Sequence, residues 1–156
     1  MIHIDQTLLD RQKALSRESK RGRVNYNFHF GPADPLQRML NTMQPGTYLQ
    51  PHKHENPDKR EVFIVLTGKL AVVEFDDDGQ VSDYMVLDPS TGNPAAEIGE
   101  RRYHTVICLE PDTVIYELKD GPYDPANDKN FASWAPAEGE PGCDEWLSNL
   151  AHSLGL

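Results

Sequence analysis

The chain has 156 residues, enough for one domain with a buried core and too few for two catalytic domains. Its formal charge of -10 at pH 7 argues against a nucleic-acid partner or an anionic membrane surface, whose phosphates it would repel. No apolar run has the length of a signal peptide or a membrane span, since even EVFIVLTGKLAVVEF is interrupted by Gly68 and Lys69, so a cytoplasmic location is expected. Cys108 and Cys143 share no CxxC spacing and read as free thiols, which leaves no basis for a cysteine zinc site.

The first segment, TLLDRQKALSRESKRGR, places Leu8, Leu15 and Ala14 or Leu9 near one helical face, with Thr7 as candidate cap and Gly22 as the stop. Lys20, Arg21 and Arg23 at its end suit the helix dipole; they read either as a solvated helix end or as an anion site. VNYNFHF then alternates as a strand, with Asn25, Asn27 and His29 on one face and Val24, Tyr26, Phe28 and Phe30 on the other. LQRMLNTM fits a strand or a helical turn equally by periodicity.

EVFIVLTG, KLAVVEF, VSDYMVLD, HTVICLE and TVIYELK are short β-branched and aromatic runs separated by the turn signals DDDG, DPSTGNP and EPD. Such spacing, without helical pattern between the runs, predicts a sandwich or barrel. The Pro/Gly-rich stretch FASWAPAEGEPG carries Trp134. It leads into CDEWLSNLAHSLGL, where Asp144 is a candidate N-cap and Trp146, Leu147, Leu150 and Leu154 recur at helical spacing. With no repeat and no long linker, residues 1–156 read as one domain: a helical start over 1–22, β structure over 23–120, and an irregular segment with a helix over 121–156.

Chemistry gathers in PGTYLQPHKHENPDKREVFIVLTG. In a strand His52 and His54 point to the same face, so two imidazoles can converge on one ion. Glu61, at the start of the next apolar run, is the candidate carboxylate, and His104, where HTVICLE opens, is the candidate fourth ligand. An HxH pair also occurs on plain surfaces, and a histidine beside a strand is commonly satisfied by hydrogen bonds.

Gly46, His52, His54, Glu61 and Gly68 resemble the first cupin motif, and Gly99 with His104 a reduced second one. The resemblance implies an all-β, single-domain cupin: an RmlC-like antiparallel barrel or jelly roll with short terminal helices. It also implies that His52, His54, Glu61 and His104 hold a metal. The interval from His54 to Glu61 is longer than the cupin pattern, so ENPDKR must bulge, and Glu55 and Asp58 compete as the carboxylate. The second motif lacks the usual proline and asparagine.

RGRVNYNFH, DPLQRMLNTMQPGTYLQPHKH, VLTGKLAVVEFDDDG, YHTVICLEPDTVIYELKDGPYD and DKNFASWAP together resemble the WbuC family of cupin-fold metalloproteins. That resemblance implies a bacterial cytoplasmic protein associated with surface-polysaccharide metabolism and a small-molecule ligand.

A three-histidine, one-carboxylate shell suits Zn, Fe, Mn or Ni, so the cofactor expected is a divalent transition metal. Candidate substrate or supporting residues are Asn27 and His29, Tyr48 by its parity with His52, Cys108 by its parity with His104, and Arg38 as an anion partner. Three functions follow: a metal-dependent isomerase or other Lewis-acid enzyme on a sugar-like substrate, a metal-free isomerase or epimerase with His52 or His104 as base, and a non-catalytic ligand sensor. Sheet edges and terminal helices favour a homodimer.

Overall fold

A computed structural model describes residues 1–156. Two antiparallel five-stranded sheets face each other as a jelly-roll sandwich, with one helix at each end of the chain. The first sheet contains β1 (Arg23–Asn27), β2 (Leu36–Met43), β9 (Thr113–Asp120), β4 (Glu61–Thr67) and β7 (Ala95–Ile98), in that spatial order. The second runs β10 (Asn130–Phe131), β3 (His52–Lys53), β8 (Tyr103–Cys108), β5 (Leu70–Phe75) and β6 (Val81–Leu87). LQRMLNTM is thus a strand, paired on one side with β1 and on the other with β9. The short strands β7 and β10 lie outside the runs read as strands, because two to four residues carry little periodicity.

Alternation along the strands makes three apolar layers. Phe63, Val65, Leu70, Val72, Val106 and Ile115 meet between the sheets. Side chains of opposite parity form the outer faces: Ala71, Val73, Phe75 and Ile107 pack under Leu147 and Leu150, and Leu40 and Val114 pack under Leu9. Each large side chain buried this way contributes about 1.5–3 kcal/mol.

The N-terminal helix, α1, spans Gln6–Glu18 and is capped by Asp5, whose carboxylate accepts from the Leu8 amide, rather than by Thr7. Its buried stripe is Leu9, Gln12 and Ser16, while Leu15 is exposed. The helix ends before Lys20, so the basic residues there do not serve its dipole. Arg21 and Arg23 instead bind Glu138, at 2.7 and 2.5 Å, which removes the anion-site reading of that run. The C-terminal helix, α2, spans Cys143–Ser153 with Gly142 as N-cap, and Asp144 lies in the first turn rather than at the cap.

Tight turns bring strand ends together. Gly68 (φ 82°) joins β4 to β5 with its Cα pressed against Thr113, where a side chain would lie 2.8 Å from the Thr113 Cα. Polarity is graded along the interior. On β9 the inward residues are Thr113, Ile115, Glu117 and Lys119, so one end of the sandwich is dry and the other carries charge.

Candidate metal centre and cavity

The charged end holds the four residues of the first and second motifs. His52 on β3 is paired directly with His104 on β8, and Glu61 comes from β4 on the facing sheet. His52, His54, Glu61 and His104 are all buried, and one ligand atom from each lies within 4.8 Å of the others. Residues 55–60 bulge between them, as their length requires. Glu55 is held by Lys53 at 3.0 Å and Asp58 by Arg101 at 2.8 Å, so neither competes with Glu61. The Arg101 amide also donates to the His54 carbonyl, tying the second-motif turn to the first.

Hydrogen bonds fix the imidazole tautomers. His52 Nδ1 donates to the Gln50 carbonyl at 3.1 Å, His104 Nδ1 to the Arg102 carbonyl at 2.9 Å, and His54 Nδ1 to the Asp128 carbonyl. A carbonyl only accepts, so each Nδ1 carries a proton and Nε2 is the nitrogen each ring turns toward the cluster. Glu61 Oε2 lies 2.9 Å from His104 Nε2 and 3.3 Å from His54 Nε2. Acceptors at such separations repel unless a proton or a metal cation lies between them.

His52 Nε2 is buried and has no hydrogen-bond partner at all. Burial, then the nearby charge of Lys129, holds the His52 pKa well below the usual imidazole range, which keeps it neutral. Burial alone would raise the Glu61 pKa, but its contacts with His104 and His54 hold it well below the carboxylate range. Three imidazole nitrogens and one carboxylate, with the His52 nitrogen orphaned among them, form a donor set consistent with a divalent transition metal.

Above the cluster opens a cavity of about 640 Å³. Asn25 and Asn27 of β1 line it and His29 joins them from just past the strand's end, but Val24 and Phe30, expected on the opposite face, line it too; Phe63 and Val106 are among its apolar residues. His29 Nδ1 accepts from the Arg38 amide at 3.1 Å.

Three expected neighbours are elsewhere. Arg38 has the opposite parity on β2, faces outward, and reaches the Phe28 carbonyl and Asp34. Tyr48 precedes an irregular stretch that breaks its parity with His52; it packs on Trp146, with its hydroxyl donating to the Pro136 carbonyl. Cys108 does face inward, but in the dry part of the core, where its thiol meets the Met43 and Glu110 carbonyls.

Sequence reading missed Gln37, Asn41, Glu117 and Lys119 in the cavity wall. A signal was present: each shares strand parity with an inward hydrophobe, Gln37 and Asn41 with Met39 and Met43, Glu117 and Lys119 with Ile115. Burial, reinforced by the Glu61 charge, pushes the Glu117 pKa up to about 8, and Asn41 donates to it at 3.1 Å. Asp128, in a loop with no periodic signal, is buried between Lys59 and Lys119 at 2.7 and 2.6 Å.

Solved structures share this fold at low identity. KdgF from a Halomonas species matches at 21% identity over 67% of this chain and 84% of its own, with a TM-score of 0.53. L-ribose isomerase from Cellulomonas parahominis, solved with L-psicose, matches at 18% over 71% and 69%, with a TM-score of 0.56. The capsular polysaccharide assembling protein CapF of Staphylococcus aureus matches at 20% over 64% of this chain, with a TM-score of 0.53, and this chain spans 27% of its length. These likenesses establish a cupin-like fold. The comparison with curated proteins returns no sequence match. Residues 4–87, over half of the chain, match the model described as a domain of unknown function, DUF6016, and the chain belongs to that family.

Proposed function

We propose that this protein is a metal-binding cupin enzyme whose substrate is a small, oxygen-rich molecule of the sugar or sugar-nucleotide kind. The observation that carries the reading is the orphaned His52 Nε2 beside two further imidazole nitrogens and the Glu61 carboxylate. His52, His54, Glu61 and His104 would hold the ion. When bound, a divalent cation there supplies a Lewis acid for a carbonyl or hydroxyl oxygen, the chemistry an isomerase needs.

The chain's own residues do the rest. The side-chain amides of Asn25 and Asn27 offer donors and acceptors to substrate hydroxyls, while Phe63 and Val106 keep the floor dry. Glu117, whose carboxyl burial and the Glu61 charge push toward the protonated form, lines the same cavity as a candidate proton donor.

Likeness to L-ribose isomerase supports a sugar substrate, and likeness to CapF with the resemblance to WbuC proteins supports a place in bacterial surface-polysaccharide metabolism. A cytoplasmic homodimer acting on a small molecule is part of the same proposal. No helix is long and apolar enough to cross a membrane.

Elemental analysis of tag-free protein purified without chelator tests the metal, alongside a His52→Ala, His54→Ala double variant. The expected result is near-stoichiometric metal that disappears in the variant. A native protein that stays metal-free after incubation with iron, zinc, manganese and nickel overturns the reading and turns attention to His52 and His104 as acid and base. Turnover of candidate sugars by the loaded protein then separates an enzyme from a sensor.

A further inference from the structure

Three lysines converge on the cavity end of the sandwich, and they are not equivalent. Lys59 and Lys119 share the carboxylate of Asp128, and Lys59 also donates to the Pro122 carbonyl at 2.5 Å. Lys129 lines the cavity, is half-buried, and has neither a hydrogen bond nor an ion pair at its ammonium. Its ammonium feels the charges of Glu61, Glu117 and Asp128 but is hydrogen-bonded to none of them, which leaves its donors free for a ligand.

Its neighbours hold it in place. Asp128 is pinned by the two other lysines and gives its carbonyl to His54. Asn130 accepts the Glu55 amide at 3.1 Å and pairs with Lys53, and Phe131 pairs with His52. Lys129 therefore projects from a backbone anchored on both sides, and the ordering cost of its main chain is met before any ligand arrives.

We propose that Lys129 is the binding residue for a carboxylate on the ligand, which makes the ligand of this cavity a sugar acid or a comparable polyhydroxylated monocarboxylate. The proposal rests on the reading of the cavity as a site for a small oxygen-rich molecule.

Two features favour carboxylate over phosphate. A phosphate is ordinarily met by several amides or a guanidinium fork, whereas Lys129 stands alone and the Arg23 guanidinium is already committed to Glu138, Thr47 and the Tyr48 carbonyl. The wall around it sets the carboxyls of Glu61 and Glu117 among the amides of Asn25, Asn27, Gln37 and Asn41, surroundings that disfavour a dianion more than a single carboxylate. Asn41 Oδ1 is buried without a partner, an acceptor suited to a hydroxyl donor rather than to a second negative charge.

Isothermal titration tests this with D-glucuronate, D-glucose and D-glucose 6-phosphate against the native protein and Lys129→Met, each with its metal content measured in the same sample. The expected result is glucuronate binding at least tenfold tighter than glucose, with that preference lost in Lys129→Met at unchanged thermal stability and metal content. Equal binding of glucuronate and glucose, no binding of glucuronate, a preference that survives in Lys129→Met, or selective binding of the phosphate overturns the assignment. Metal-free protein that still prefers glucuronate through Lys129 upholds the carboxylate site while the metal reading falls, so the two failures are distinct.

Discussion

Glu61 Oε2 and His104 Nε2 lie 2.9 Å apart across the two sheets, Glu61 on β4 and His104 on β8. A cation bound there crosslinks the sandwich at its polar end, where no apolar core holds the sheets together. Metal should therefore raise the melting temperature. At a hundredfold excess over Kd the gain is about 2.7 kcal/mol, or roughly 5–10 °C for a domain of this size. Differential scanning fluorimetry with and without metal checks it, and His104→Ala should abolish the shift.

Asp128 holds His54 indirectly, through a backbone carbonyl whose place is set by Lys59 and Lys119. Replacing Asp128 by Asn weakens both ion pairs while keeping the size of the side chain. Metal affinity should fall about 10–100-fold, the usual effect of losing support behind a ligand. Competition with a chromogenic chelator measures it, with the exposed Asp124→Asn on the same loop as control; equal affinities in the two variants would count against the linkage.

Glu138 neutralises the buried Arg23 and the exposed Arg21. Burial tends to raise its pKa, but the two guanidinium groups outweigh that and hold it below its ordinary value of 4.5. A depressed carboxylate pKa stabilises the fold above the unfolded value, and the contribution is lost as pH falls through the folded one. Glu138→Gln should cost about 1–2 kcal/mol at pH 7, modest because the carboxylate is partly solvated. The gap to the native protein should narrow steadily below pH 4.5 in thermal melts.

Gly68→Ala forces a side chain into a positive-φ turn and against the Thr113 backbone, 2.8 Å from its Cα. Neither the strand end nor a flexible side chain can yield cheaply, so a loss of about 2–4 kcal/mol is expected. Urea unfolding reads it directly. Gly46→Ala, at a positive φ but with open space around it, should cost less.

The β-rich middle, the two outer helices and the four clustered residues were legible in the sequence. Alternation with period two sorts side chains by face regardless of what lies opposite, and the HxH spacing needs only one extended stretch to bring two rings together. The polar wall was half-legible. Glu117 and Lys119 stand at inward parity in TVIYELK, but a charge in a strand reads as solvent-facing until a second sheet covers it.

Other features had no local signal. Asp128 and Lys129 sit in a loop, and only the fold brings Asp128 against His54 and Lys129 to the cavity. Tyr48 and Arg38 were assigned by parity and type. Tyr48 was displaced because residues 48–51 leave extended pairing, and Arg38 because β2 presents it to the outer face.

By itself the sequence determined which residues can ligate and which face of each strand they occupy, since both depend on near neighbours along the chain. Which distant groups close the cavity, which carboxylates are already paired and which lysine is left free were decided only by tertiary structure. Those facts depend on contacts between residues dozens of positions apart, and no local periodicity records them.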